Sequence, residues 1–311
     1  MKLGTCCHIG SLVEKRNGDV VFEQYAQYKI GTVRVSNVKS LSPSAQYAKL
    51  LNKVKANLNA LYAQVKYIAT LPDNQKMFRI SSDILPLHTH LEYRSLYDDK
   101  LNSLISDMLL RIGQVVKDND IRISTHPSQF ITISSDRPEV CTNAIRDLES
   151  AKWMFEQMRL QADEVSINIH TNGRSFTLPD EASHLFPWLT LENDEKQAGF
   201  WKTLDICEKY GIRMVLDLHH YYCENDQTYL SVDSDEFKRV LGTWNGKRPY
   251  FHISQSRGYE SKRDMMAHSQ MITDDSLITY LRDFLEYGDC EVEAKHKNVA
   301  VEYLVRKLQI S

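Results

Sequence analysis

The chain has no uninterrupted apolar run near the roughly 20 residues that a bilayer span requires, so a membrane-embedded function is not expected. Its start, Met1-Lys-Leu-Gly-Thr-Cys-Cys, has no apolar h-region followed by a small-residue cleavage site, and a cytosolic location is the expectation. No G-x-x-x-x-G-K-[ST] pattern occurs, which leaves no phosphate-cradling loop for ATP. The six cysteines, at 6, 7, 141, 207, 223 and 290, include no C-x-x-C pair. A structural zinc knuckle is therefore not expected, and reduced thiols are the default. Charge of one sign is also lacking. A net −3 gives no global attraction to nucleic acid, so any phosphate-binding surface has to be a local patch.

What is present is periodic. The 311 residues, 42% hydrophobic, suffice for a full core, and no low-complexity segment or linker marks a second domain. Short apolar segments predict strands at about 2–7, 77–81, 121–125, 164–169, 189–192, 213–217, 250–254 and 290–294. Between them, Leu50, Leu51, Val54, Leu58, Leu61 and Val65 mark a helix over 44–69. Leu101, Leu104, Ile105, Met108, Leu109, Ile112 and Val116 mark one over 100–117. Further helices are predicted at 138–160, with Pro138 near the first helical position, and at 196–210, 234–242 and 275–287. Gly211 and Gly288 are placed to end helices in the left-handed conformation. Strand and helix alternating about eight times predicts a (β/α)8 TIM barrel, a single domain over 1–311. A doubly wound open sheet is the alternative.

Seven of the eight strands end in or next to a metal-type ligand. Strands that alternate with helices lie parallel, so those ends meet on one face of a barrel. The set is His126, His170, Glu192, Asp217, His220, His252, His268 and Glu293. Asp217-Leu-His-His220 is the sharpest local unit, because the turn after Asp217 brings His220 back toward the same centre. Carboxylate with imidazole suits Mn, Zn, Fe or Co better than a thiolate-selecting metal. Any one buried histidine is more often a hydrogen-bonded core residue. Eight together would require several buried carboxylates with no cation, each costing several kcal/mol, and no buried lysine or arginine is obvious beside most of them. Metal ions remove that cost. His219 reads as a neighbour of the ligand His220. His90, two residues from His88, is the better candidate for a ligand or phosphate contact.

Other residues beyond the strand ends suggest what the metals act on. Gln129 and Phe130 put an amide and an aromatic side by side, and an exposed aromatic can enter a base stack. The plain alternative is a Phe that anchors its loop. Arg174, Arg257, Lys262, Arg263, Lys295 and Lys297 form a positive rim for phosphates, although any one of them alone is an ordinary surface charge.

His126-Pro-Ser-Gln-Phe130, Glu192-Asn-Asp-Glu195, Asp217-Leu-His-His220, His252-Ile-Ser-Gln255 and Val292-Glu-Ala-Lys295, with Arg79-Ile-Ser-Ser-Asp83 before Pro86, resemble in order the UV damage endonuclease (UvdE) family. The resemblance runs from about residue 3 to 297. It implies a TIM barrel related to endonuclease IV and a cluster of about three divalent ions, typically manganese, with zinc, magnesium or cobalt as alternatives. It also implies ATP-independent incision of double-stranded DNA immediately 5′ to cyclobutane dimers and 6-4 photoproducts, and at abasic sites, leaving 3′-hydroxyl and 5′-phosphate. A monomer is the expectation. The family's ligands fall on the eight residues above, and His90 matches a further active-site histidine. Glu192, His90 and Lys295 are the catalytic candidates. Gln129 and Phe130 match the pair that the family inserts opposite the lesion.

The chain departs from the family in three places. Thr5 stands where a tyrosine is usual. Cys7-His8-Ile9 replaces a stretch with a lesion-contacting asparagine. Tyr250 replaces a lysine that many members carboxylate between the metals; alternation with His252 points Tyr250 inward. The expected mechanism is in-line phosphodiester hydrolysis, with two ions activating water, a third neutralising the leaving oxygen, and Glu192 bridging. The rival readings are a metal-dependent sugar isomerase or epimerase on the same barrel, and a non-catalytic DNA damage sensor.

Overall fold

The computed structural model describes residues 1–171 and 177–310. Among the described residues ten strands are present: β1 (Leu3–Cys6), β2 (Gly10–Glu14), β3 (Val20–Gln24), β4 (Met77–Ile80), β5 (Arg122–Thr125), β6 (Val165–His170), β7 (Leu189–Glu192), β8 (Arg213–Asp217), β9 (Tyr250–Ile253) and β10 (Asp289–Val292). All but β2 and β3 close into a parallel barrel in the order β1-β10-β9-β8-β7-β6-β5-β4. This is the (β/α)8 architecture expected from the alternation. Its register sets His170 beside Glu192 and Asp217 beside His252 before any side chain is considered.

The helices are α1 (Pro43–Ala69), α2 (Asp99–Asp118), α3 (Pro138–Gln157), α4 (Phe200–Tyr210), α5 (Leu218–Glu224), α6 (Asp235–Gly242), α7 (Lys262–Met265), α8 (Asp275–Tyr287) and α9 (Lys297–Leu308). Most start where a short polar side chain caps them. Ser42 accepts from Ala45 N–H, Asp98 from Leu101 N–H and Ser234 from Phe237 N–H. Their apolar faces pack on the outside of the barrel in one large cluster that includes Leu58, Ile105, Phe155, Leu204, Phe284 and Leu304.

Three features differ from the sequence reading. The hairpin β2–β3 was not expected; Leu12 and Val20 are exposed there, so no buried face imposes a clear alternation. Helix α9 was also not expected, although Ala300, Val301, Leu304 and Leu308 bury a helical stripe against the barrel. Gly211 does end α4 left-handed at φ 65°, but Gly288 is extended at φ −150°. Its glycine serves a close approach instead. A Cβ there would lie 2.5 Å from the Phe251 ring and 2.9 Å from the Pro249 carbonyl oxygen.

Candidate metal centre

Glu192, at the end of β7, lies at the centre of the barrel mouth and is almost wholly buried. One carboxylate oxygen faces His126 Nε2 at 3.0 Å, with His170 Nε2 at 4.0 Å. The other faces His252 Nδ1 at 2.9 Å, with His220 Nε2 at 3.9 Å. Two sets of ligand atoms lie within 4.8 Å of one another: His126, His170 and Glu192, and Glu192, Asp217, His252 and Glu293. Glu192 belongs to both. His220 and His268 flank them, their rings 6.3 Å apart, and His268 Nδ1 faces the Glu293 carboxylate at 3.7 Å. The structure thus gathers all eight residues of the expected cluster.

The far nitrogen of each imidazole explains the ring orientations. His126 Nδ1 is 3.1 Å from the Pro127 carbonyl, and His268 Nδ1 is 3.0 Å from that of Glu293. His220 Nδ1 pairs with buried Glu195, His252 Nε2 lies 3.1 Å from Glu291, and Asp194 approaches His170 Nδ1 at 3.7 Å. His126, His220 and His252 thus turn one nitrogen to the centre and the other to an outer oxygen, the usual arrangement of metal-binding histidines, whereas His170 Nδ1 is buried without a hydrogen bond. Asp217 shows the same division. One oxygen accepts from His220 N–H at 2.7 Å, while the other is buried without a hydrogen-bond partner. Burial pushes the Asp217 carboxyl up, with His220 only partly opposing it. An uncompensated buried oxygen of this kind fits a cation.

Protons on imidazole do part of that work. Burial pushes Glu192 up and His252 down, but their attraction outweighs both. Glu192 is held well below the carboxylate range, and His252 is raised to about 10. Ions entering the site would displace these protons. His219 behaves differently. Burial and the neighbouring His268 pull it to about 3, so it stays neutral, 3.7 Å from the Cys223 sulfur.

One premise of the sequence reading is corrected: a buried cation is present. Arg79, on β4, contacts Glu291 at 2.6 Å, Glu293 at 2.5 Å and His252 Nε2 at 3.0 Å. It compensates Glu291 of β10 and Glu293 just beyond that strand but reaches neither Glu192 nor Asp217, so the case for metal rests on those two. Ser124, Asn168 and Glu291 were not singled out from the sequence, and Arg79, Asp194 and Glu195 stood only within family motifs, with no role assigned. Alternation could have found Glu291, two residues before Glu293 along the strand predicted at 290–294. The others depend on how the barrel closes.

The remaining candidates are more scattered. His90 receives the Glu92 N–H and rests 5.1 Å from the Tyr93 ring; no hydrogen bond or ion pair joins it to the cluster among the described residues. His88 is a core residue, wedged between Tyr97 and Trp153 and 2.6 Å from Ser150 Oγ. Lys295, Lys262 and Arg263 are exposed; Arg257 pairs with Asp264. Arg174 lies outside the described residues. Phe130 is 80% exposed, which excludes a loop-anchoring role. It and Gln129 line a cavity of about 610 Å³ together with Arg137, Lys196 and Asp194, the last of which connects that cavity to His170. Thr5 is buried in β1, and Cys7, just after it, is left-handed at φ 63°.

Tyr250 points into the barrel, one layer below His252, against Met77, Val215 and Trp244. Its hydroxyl is 3.4 Å from Thr190 Oγ1, which donates to Asn168 Oδ1 at 2.8 Å; Asn168 in turn donates to Glu192. The guanidinium of Arg122 lies 5.0 Å from its ring.

Comparison with known proteins adds the following. The family profile described as UV-endonuclease UvdE matches residues 22–311. A UV DNA damage endonuclease of Bacillus pumilus (strain SAFR-032) is 31% identical over 311 residues, covering 91% of this chain and 92% of its own. That of Bacillus cereus (strain B4264) is 28% identical over 301 residues, covering 89% and 88%. The crystal structure of SacUVDE superposes with a TM-score of 0.73 at 25% identity, over 99% of this chain and 98% of that one. Endonuclease IV from Thermus thermophilus, at a TM-score of 0.54 and 12% identity over 81% and 95%, shares the fold.

Proposed function

The chain belongs to the UV-endonuclease UvdE family and is an endonuclease of UV-damage repair, and on that premise we propose that it cuts double-stranded DNA immediately 5′ to the lesion by a metal-dependent, ATP-independent hydrolysis. The substrates are cyclobutane dimers and 6-4 photoproducts, with abasic sites as a further class, and the products carry 3′-hydroxyl and 5′-phosphate ends. The chain acts as one domain and as a monomer. The observation that carries this reading is the single carboxylate, Glu192, shared by two convergent ligand sets at the barrel mouth. His126 and His170 would hold one ion with Glu192, and Asp217, His252 and Glu293 another; His220 and His268 complete a cluster of about three, most suitably manganese. Bound ions would supply Lewis acidity and lower the pKa of bound water. Glu195, Glu291 and Asp194 would hold the imidazoles in position. A sugar isomerase would have no use for an exposed Phe130 beside a large open cavity. The direct test is an end-labelled duplex with one photoproduct. A single product that ends one phosphodiester 5′ of the lesion and is extendable by a polymerase supports the reading; a cut 3′ of it, or a 3′-phosphate, overturns it.

Two substitutions probe the lesion side of this proposal. Phe130→Ala is expected to weaken binding of the damaged duplex by roughly tenfold to a hundredfold, the loss of one stacking contact, with metal content unchanged. An equal loss of activity on a short single strand would instead mark Phe130 as structural. Tyr250→Lys would bring a basic group under the site, where Arg122 and Arg213 already lie near. It is expected to alter metal occupancy or the balance between photoproduct and abasic-site cleavage. Unchanged metal content and unchanged preference would remove Tyr250 from the site's chemistry.

A further inference from the structure

The loop between β9 and α8 starts beside one candidate ligand, His252, and returns through another, His268. Its base is cross-tied. Ser256 and His268 form a β-bridge, Arg257 N–H donates to the Ala267 carbonyl at 2.7 Å, and Ser269 N–H to that of Gln255 at 2.8 Å. Ser261 caps the short turn that follows, and Arg257 pairs with Asp264 across the tip. The tip is therefore held firmly beside the metal centre. At its outer edge stands Tyr259, 59% exposed.

An exposed aromatic in isolation is ordinary, but three observations separate this one. With Tyr222 and Tyr229 it lines one small pocket, and Tyr222 stacks on Tyr229 at 4.7 Å and 28°, which in turn meets Tyr280 at 4.5 Å. The ring thus stands beside a run of tyrosines with much of its own surface in water. Lys262 and Arg263 are exposed three and four residues on, and neither makes an ion pair among the described residues. The third observation is topological. In the closed eight-strand order, β9 lies four strands from β5 in either direction, so the loops that carry Tyr259 and Phe130 leave the barrel on opposite sides of its mouth.

We propose that Tyr259 is a second duplex-contacting aromatic, packing its exposed ring on a base or deoxyribose across the mouth from Phe130, with Lys262 and Arg263 on the adjacent phosphates. A ring carried on a cross-tied loop loses less freedom on binding than one on an untied loop, and both cations are placed for the sequence-independent backbone term. This inference rests on the DNA-incising reading above.

The test compares the metal-loaded parent protein with Tyr259→Ala, Tyr259→Phe and a Lys262→Ala/Arg263→Ala double variant on a duplex carrying one photoproduct. Tyr259→Ala is expected to raise KM and duplex Kd roughly tenfold to a hundredfold, with kcat and metal content unchanged. Tyr259→Phe should restore most of that loss. The double variant should flatten the salt dependence of binding by about two phosphate contacts. KM and Kd equal to the parent's in Tyr259→Ala would overturn the proposal, as would loss of kcat and metal that Tyr259→Phe does not rescue, which marks a loop-holding role. A parent that leaves the damaged duplex intact refutes the incision reading itself, so the two failures are distinct.

Discussion

Glu192→Gln is expected to abolish incision and to remove at least one ion while the barrel remains folded. Glu192 is the one residue present in both ligand sets, with His126 and His252 about 3 Å from its two oxygens. An amide carries no charge and offers one oxygen in place of two, so it cannot join two cations. The residue contributes little to packing that an isosteric amide would not also provide, and circular dichroism should be unchanged. Elemental analysis of the purified variant reads the ion content. Full metal content with normal cutting would take Glu192 out of the bridging role.

The second large effect concerns Arg79. Arg79→Met leaves Glu291 and Glu293 with no guanidinium, both at a site from which water is largely excluded. Breaking a buried ion pair from one side costs about 3–5 kcal/mol, a fall of roughly 5–8 °C in melting temperature for a chain of this size. The expected signature is its dependence on metal. A cation on Glu293 replaces part of what Arg79 supplied, so the loss should be largest with chelator and smaller with saturating manganese. Thermal unfolding of both proteins under both conditions measures this. An equal shift in the two conditions would mean that Arg79 supports packing alone.

Strands and ligands were legible in the sequence because both follow from local pattern. Each barrel strand is a short apolar run, and His126, Glu192, Asp217 and His252 sit at or next to the ends of such runs. Parallel closure then brings them together without further information. Partners that depend on which strands adjoin were not legible. Arg79 meets Glu291 only because β1 joins β4 to β10 across more than 200 residues of chain. Glu195 and Asp194 lie in a turn, where the route of the chain, and not a period, aims the side chain. The hairpin β2–β3 escaped for the opposite reason, since a ribbon with exposed faces writes no burial pattern. Gly288 shows a glycine signal with two physical causes. Left-handed backbone and close approach look the same in one sequence, and here the Phe251 ring decides.

The central claim is metal-dependent cutting of UV-damaged DNA. Its most direct test is nicking of supercoiled plasmid, untreated, irradiated or depurinated, with Mn²⁺, Mg²⁺ or chelator and no ATP. The account predicts that irradiated plasmid is relaxed with Mn²⁺, spared by chelator, and cut well above the untreated control. Irradiated plasmid left intact in Mn²⁺, or cut equally well in chelator, would contradict it.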